Sequence, residues 1–292
     1  MDHVVWNDRP QLVEPTLIAA FSGWNDAGDA ATVAVRYLSR RFESREFASI
    51  DPESFFDFSI QRPVLRLGPD GRRELEWPGN GFSHLNLDDG RDVIILTGTE
   101  PRLRWRTFTE AVLEVIESMG VVRVVTLGAL LSEVHHLDPV PVIGSAAGSD
   151  MLSEMDLQPS RYQGPTGIVG VLQMALARAG VPAASLWASV PNYVASSPSP
   201  KAALALVSRL TDLLDLSLAA TDLQIAAVEY ERQVEALVAE DPELAEFAAE
   251  LRALGSPVPD SDHPAGSPEL VDTDPGELIA ELERYLEQNG DD

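Results

Sequence analysis

Short runs of uninterrupted apolar residues, each followed by an amphipathic stretch, constrain this chain more than any other feature. Residues 16–21 (TLIAAF) read as a strand buried on both faces, 92–97 (DVIILT) as another buried strand and 121–127 (VVRVVTL) as the next strand. The first is followed by a helical pattern over 27–42, with Val33, Tyr37 and Leu38 apolar. The second is followed by one over 104–119, where Phe108, Val112, Val115 and Met119 share a stripe and Gly120 marks the stop. Further strands are expected at 46–50, 55–60, 140–143 and 184–190, and 63–67 leads into the turn Gly68-Pro69-Asp70-Gly71. Helices are expected over 168–179, closed by Gly180, and from the Ser199 cap and Pro200 to about Leu216. Strand–helix alternation of this kind predicts an α/β fold, a mostly parallel sheet with helices on its faces.

After Leu216 the pattern changes. Residues 221–239 and 243–254 read as two helices joined at Asp241-Pro242 with no strand between them, and Leu244, Phe247, Ala248, Leu251 and Leu254 keep helical spacing. Residues 255–276, rich in Gly, Pro, Ser and Asp, read as a linker. A last helix is expected over 277–287, carrying Leu278, Ile279, Leu282, Tyr285 and Leu286. The expected organisation is therefore an α/β core over 1–217, a helical extension over 218–254, a flexible linker over 255–276 and an acidic helix and tail over 277–292. The apolar faces of 244–254 and 277–287 are expected to pack on the core or across a homo-oligomer interface.

The formal charge of −26 excludes binding of nucleic acid or an anionic membrane through the overall field. Over half of that charge lies in 240–292, where 16 acids meet two arginines for a net −14; the segment reads either as a solvated acidic tail or as a docking segment for a basic partner. Cysteine is absent, which excludes thiol nucleophiles, disulfides, iron–sulfur clusters and Cys-based zinc sites. Lys201 is the only lysine among 21 basic residues, and no phosphate-cradling G-x-x-x-x-G-K-[ST] loop occurs, so ATP-dependent chemistry is disfavoured. No run of 18 apolar residues and no signal-peptide pattern is present, so the expected location is the cytoplasm. No cofactor and no metal is expected.

Five segments at or just beyond predicted strand ends are candidates for chemistry. In the first, Gly23 to Thr32, Asp26 and Asp29 suit an acidic capping box. Trp24 and Asn25 lie where open α/β sheets bind ligands. In the second, Glu100 stands beside Arg102 and Arg104, as a surface ion pair or as a substrate-orienting carboxylate. In the third, His135 and His136 are adjacent. An extended backbone would point them to opposite sides, so at most one lines a given pocket, as an acid or base. In the fourth, Thr166 is placed to cap the helix that follows and Gly164 lies just ahead of it; backbone N–H groups there suit an anion or close packing. In the fifth, Asn192 and Tyr193 follow Pro191, where Tyr193 covers the core edge or takes part in recognition. No G-x-S-x-G elbow occurs. The five segments are placed to line one shared cleft.

Taken together, Gly23-Trp24-Asn25-Asp26-Ala27-Gly28-Asp29-Ala30-Ala31, Gly98-x-Glu100-Pro101, Leu127-Gly128-Ala129-Leu130, Tyr162-Gln163-Gly164-Pro165-x-Gly167 and Val190-Pro191-Asn192-Tyr193-Val194 resemble the proteasome assembly chaperone family of the second-subunit type, in its bacterial branch. The match runs over about 15–215, with a helical C-terminal extension like that of actinobacterial members. The resemblance implies a three-layer α/β/α fold similar to the nucleoside phosphorylase and hydrolase architecture, often assembled as small oligomers. It also implies protein partners, proteasome α-type subunits among them. Family members reach α-rings partly through a C-terminal hydrophobic–Tyr–any tripeptide. This chain instead ends Leu286-Glu287-Gln288-Asn289-Gly290-Asp291-Asp292, so that docking mode is not available as written.

The expected function is accordingly that of a non-catalytic assembly or interaction protein. The alternative is a nucleoside-like small-ligand binder or a hydrolase- or phosphorylase-like enzyme. In it Trp24 would stack on the ligand, Glu100 would accept a hydroxyl or base proton, and His135 or His136 would serve as acid or base.

Overall fold

The computed structural model describes residues 3–255 except 69, 88–89, 148–156, 158, 161, 196 and 217; the linker expected at 255–276, apart from Gly255, and the helix expected at 277–287 lie outside the described residues. Ten strands are described: β1 (Val4–Trp6), β2 (Thr16–Ser22), β3 (Arg45–Ile50), β4 (Val64–Leu67), β5 (Arg73–Glu76), β6 (Asn80–Asn86), β7 (Asp92–Thr99), β8 (Arg123–Ser132), β9 (Val142–Ala147) and β10 (Ala183–Pro191). The described helices are α1 (Ala30–Arg41), α2 (Trp105–Met119), α3 (Ile168–Ala179), α4 (Pro200–Leu214), α5 (Thr221–Glu240) and α6 (Pro242–Leu254).

Eight strands form one sheet in the order β1-β3-β6-β7-β2-β8-β10-β9, while β4 and β5 pair only with each other. Its centre, β7-β2-β8-β10, is parallel, and the margins on both sides are antiparallel. Helices on both faces explain the uninterrupted apolar run of β2. Leu17, Ala19 and Phe21 enter the cluster with α2 and α3, and Ile18 and Ala20 enter the opposite one with α1 and α4. A third cluster, built on Tyr230, Val234, Val238 and Ala248 with Val194, seats α5 and α6 against the turn after β10. This is the three-layer α/β arrangement, extended by a helical pair.

The helix ends obey local chemistry. Gly120 and Gly180 close α2 and α3 in the left-handed conformation. Ser199 caps α4 through Ala202 N–H, and Asp241 caps α6 through Glu243 and Leu244 N–H. Residues 55–60, expected as a strand, instead continue a 3-10 turn at Pro52–Ser54. Phe55 and Phe56 are buried, but Asp57 takes the N–H and hydroxyl of Ser59 and bends the chain. β8 runs on through Ser132, and β9 begins at Val142 rather than 140.

Candidate functional site

The parallel strands β2, β7, β8 and β10 end side by side at Ser22, Thr99, Ser132 and Pro191. The candidate residues gather along this edge as two knots rather than one cleft.

The first knot is built on Glu100, one residue past β7, whose N–H donates to Ser22 O (2.9 Å). Both oxygens of its carboxylate accept hydrogen bonds. Oε1 accepts from Asn25 Nδ2 (2.9 Å) and from Ile168 N–H (2.8 Å), and Oε2 accepts from Trp24 N–H (3.3 Å). Ile168 opens α3, so a carboxylate from another element caps that helix and meets the positive end of its dipole. Two glycines make the approach feasible. Gly23 has φ 134°, and a Cβ on Gly167 would stand 2.1 Å from Asn25 Nδ2 and 2.7 Å from Glu100 Oε1.

Asn25 also accepts Ala129 N–H at its carbonyl (2.8 Å), tying the turn to β8. Asp26 is buried and caps α1, accepting from Ala31 N–H (2.7 Å) and Thr32 Oγ1 (2.6 Å); burial raises its pKa above the ordinary carboxylate value. Trp24, by contrast, is 56% exposed. The knot holds a turn from which one aromatic ring stands in solvent.

Several expectations are corrected here. Among the described residues Glu100 makes no ion pair with Arg102 or Arg104, because backbone and amide donors occupy it. Asp29 does not complete a capping box: its backbone is left-handed and its side chain caps nothing. Thr166 does not cap α3, since Gly167 is the N-cap residue and Glu100 supplies the acceptor. That same carboxylate stands where an anion would sit, so the helix start is not an anion site. Gly164, at φ 159°, lies against the Tyr162 ring, whose hydroxyl donates to Pro165 O (2.7 Å).

The second knot lies beyond β8 and β10, under α5 and α6. His135 and His136 are both buried, and they stack at 4.3 Å between centroids instead of pointing apart; the segment turns, so the extended-chain expectation fails. The Tyr193 hydroxyl accepts His136 N–H (2.9 Å) and shares a second hydrogen bond with the ring Nδ1 (2.8 Å). The ring Nε2 is hydrogen-bonded to the Glu235 carboxylate on α5 (2.9 Å). Tyr193 also meets Phe247 of α6 edge-on, and burial pushes its pKa up to about 12. Burial, helped by His136, lowers the pKa of His135.

Lys201 completes the knot. Its ammonium donates to His136 O and Asp138 O (both 2.7 Å) and pairs with Glu231 on α5 (2.6 Å), which uses all three donors. The hollow beside these groups is lined also by Ser189 and Tyr230 and has room for about one water molecule. The Ser189 and Ser132 hydroxyls are buried without a hydrogen-bond partner among the described residues. Asn192 is exposed at the rim.

The sequence reading missed Gly167, Lys201, Glu231 and Glu235 as site residues. Two of them left a signal: Lys201 as the single lysine of the chain, and Gly167 as the last glycine of the Tyr162-Gln163-Gly164-Pro165-x-Gly167 motif. Among the described residues no cluster of three metal-ligating side chains occurs and no helix is long and apolar enough to cross a membrane.

A PAC2 family protein from Streptomyces avermitilis is 44% identical, covering 80% of this chain and 99% of its own, with a TM-score of 0.75. A proteasome-assembly chaperone homologue from Mycobacterium tuberculosis is 45% identical over 80% of this chain and 99% of its own, with a TM-score of 0.72. An archaeal proteasome activator from Pyrococcus furiosus shares the fold, with a TM-score of 0.67 at 19% identity over 81% of this chain and 99% of its own. No curated protein matches the chain. Residues 20–238, which include both knots and most of α5, match the PAC2 family, and the chain belongs to that family.

Proposed function

We propose that this protein is a non-catalytic assembly and interaction protein whose partner-facing edge is the Trp24 turn. The observation that carries this reading is the engagement of the Glu100 carboxylate. Both of its oxygens are committed to Trp24 N–H, the Asn25 amide and the α3 start, while the Trp24 ring is left in solvent. A carboxylate that holds a turn and caps a helix has a structural task, which this reading takes as its role. An exposed, backbone-anchored Trp is the side chain that most often dominates a protein interface.

His135 and His136 support the same reading, since one is buried and the other is held on both ring nitrogens. The hollow beside them holds about one water, far short of the several hundred Å3 that a nucleoside-sized ligand occupies. The relative from Mycobacterium tuberculosis, a proteasome-assembly chaperone homologue, supports proteasome subunits as the partner class, and the family resemblance of the sequence narrows the proposal to α-type subunits. The reading also places the protein in the cytoplasm as a homo-oligomer.

The test is binding of purified α-type proteasome subunits from the same organism to wild-type protein and to Trp24→Ala. Wild type should bind, and Trp24→Ala should bind about tenfold or more weakly, as loss of an interface anchor requires. Subunits that bind neither protein, or both alike, overturn the proposal.

A further inference from the structure

Of the described strands, β4 and β5 alone contain no buried residue. A two-stranded hairpin by itself is marginal in water, so its composition matters. The register sets Leu65 opposite Leu75 and Leu67 opposite Arg73, with Val64 opposite Glu76 and Arg66 opposite Glu74. Alternation therefore puts Leu65, Leu67, Leu75 and Arg73 on one face, and Val64, Arg66, Glu74 and Glu76 on the other. The second face is charged and closed on itself by the Arg66–Glu76 ion pair. The first is apolar and open, with Leu65 55%, Leu67 75% and Leu75 54% exposed. At the hairpin's base Trp77 packs edge-on against Phe58, which anchors the element to the core.

The size and charge of the open face select its occupant. Its leucines and the neighbouring Trp77 offer on the order of 400 Å2, about half of what each partner of a stable dimer buries. A short amphipathic segment fits it better than a second copy. Residues 60–77 carry four arginines and three acids, a net +1 within a chain of −26. Arg62 and Arg73 have no ion-pair partner among the described residues. An acidic segment is thus attracted here and repelled over most of the remaining surface.

The chain supplies such a segment. Residues 277–287 (ELIAELERYLE) place Leu278, Ile279, Leu282, Tyr285 and Leu286 at helical spacing, with four glutamates and one arginine among them. Gly255 is the last described residue, and the 21 residues between it and Glu277 span up to about 70 Å when extended. That exceeds the width of a domain whose radius of gyration is about 18 Å. Tethering also raises the local concentration of the segment to about the millimolar range. We infer that the apolar face of the β4–β5 hairpin is the docking site for residues 277–287 of the same chain.

The absence of cysteine makes a direct test available in the full-length protein. Under mild oxidation, Leu67→Cys with Leu282→Cys should form an intramolecular disulfide about tenfold faster than Val13→Cys with Leu282→Cys, the gain expected from a docked over a merely tethered pair. Val13 is exposed elsewhere on the surface. Adding Arg73→Glu should slow the first pair about two- to fivefold, as loss of an exposed ion pair does. Equal rates for the two pairs overturn the inference. So does a predominant link between two copies of the Leu67→Cys single variant, which would give the face to a second molecule. An independent readout needs no cysteine: in full-length Leu282→Glu, hairpin amides at 64–67 and 73–76 should exchange faster than in wild type. Unchanged exchange overturns the inference equally.

Discussion

The two knots at the end of the parallel strands do the same mechanical work with different chemistry. At Glu100 a single carboxylate gathers two backbone N–H groups and one amide, and no second ionisable group takes part. At His136 the donors and acceptors include a histidine, a tyrosine, a lysine and two glutamates. The first knot joins β2, β7 and α3 within the sheet-and-helix body and leaves Trp24 outside. The second joins the loop after β8 to α4 and α5 and keeps both histidines buried, with Glu235 at the surface. One arrangement displays a residue, and the other fastens the helical pair. The presence of polar residues at a strand end does not by itself indicate catalysis; what matters is where each polar atom is spent.

Breaking the second knot should cost most. Lys201→Ala removes the donor to two carbonyls and leaves Glu231 facing a half-buried gap, so stability should fall by roughly 2–4 kcal/mol in urea denaturation. An unchanged midpoint would show that the lysine fastens nothing. The first knot is broken sterically by Gly167→Ala, whose Cβ meets the Asn25 amide and Glu100. Roughly 1–3 kcal/mol should be lost, with faster amide exchange at Trp24 and Ile168. Full protection of those amides would mean that the turn has another support.

A pH series sharpens the contrast. His135 has its pKa lowered by burial, so the unfolded chain binds the proton at a pH where the folded chain does not. Its contribution to stability is fully present above the unfolded value of about 6.5 and is lost as the pH falls from there toward the folded value, at no more than about 1.4 kcal/mol per pH unit. Melting curves between pH 8 and pH 5 should therefore fall toward acid, and His135→Gln should flatten that decline. A decline unchanged in His135→Gln would place its origin elsewhere. The smallest effect on stability is expected for Trp24→Ala, within about 0.5 kcal/mol, because the ring is exposed and its anchoring atom is a backbone nitrogen. A larger loss, measured by the same denaturation, would make Trp24 part of the body rather than its display.

The body of the fold was legible because its signals are local. The runs at 16–21 and 92–97 are strands, 168–179 is a helix closed by Gly180, and Asp241-Pro242 separates α5 from α6. What escaped depends on partners distant in sequence. β6 (NGFSHLN) has little strand character of its own and is a strand because β3 and β7 hold it on both sides. Conversely, Phe55 and Phe56 look like a strand by composition but are core side chains on a turning backbone. At the site, Trp24, Asn25 and Glu100 were found by their place at strand ends. Their roles were not legible, because Glu100 reaches Ile168 across 68 residues of sequence. The histidines were misplaced for the same reason, since their stacking is imposed by Tyr193 and Glu235 from later elements.

The central claim is that Glu100 acts through Trp24, by holding the turn that presents it. A double-mutant cycle in binding to purified α-type proteasome subunits tests this most directly, using wild type, Trp24→Ala, Glu100→Ala and the pair. If Glu100 only positions Trp24, the double variant should bind no more weakly than Trp24→Ala alone, and the two single losses should fail to add by about 1 kcal/mol or more. Losses that add in full would show that Glu100 serves the partner, or a substrate, on its own account, and would contradict the reading of this edge as a display.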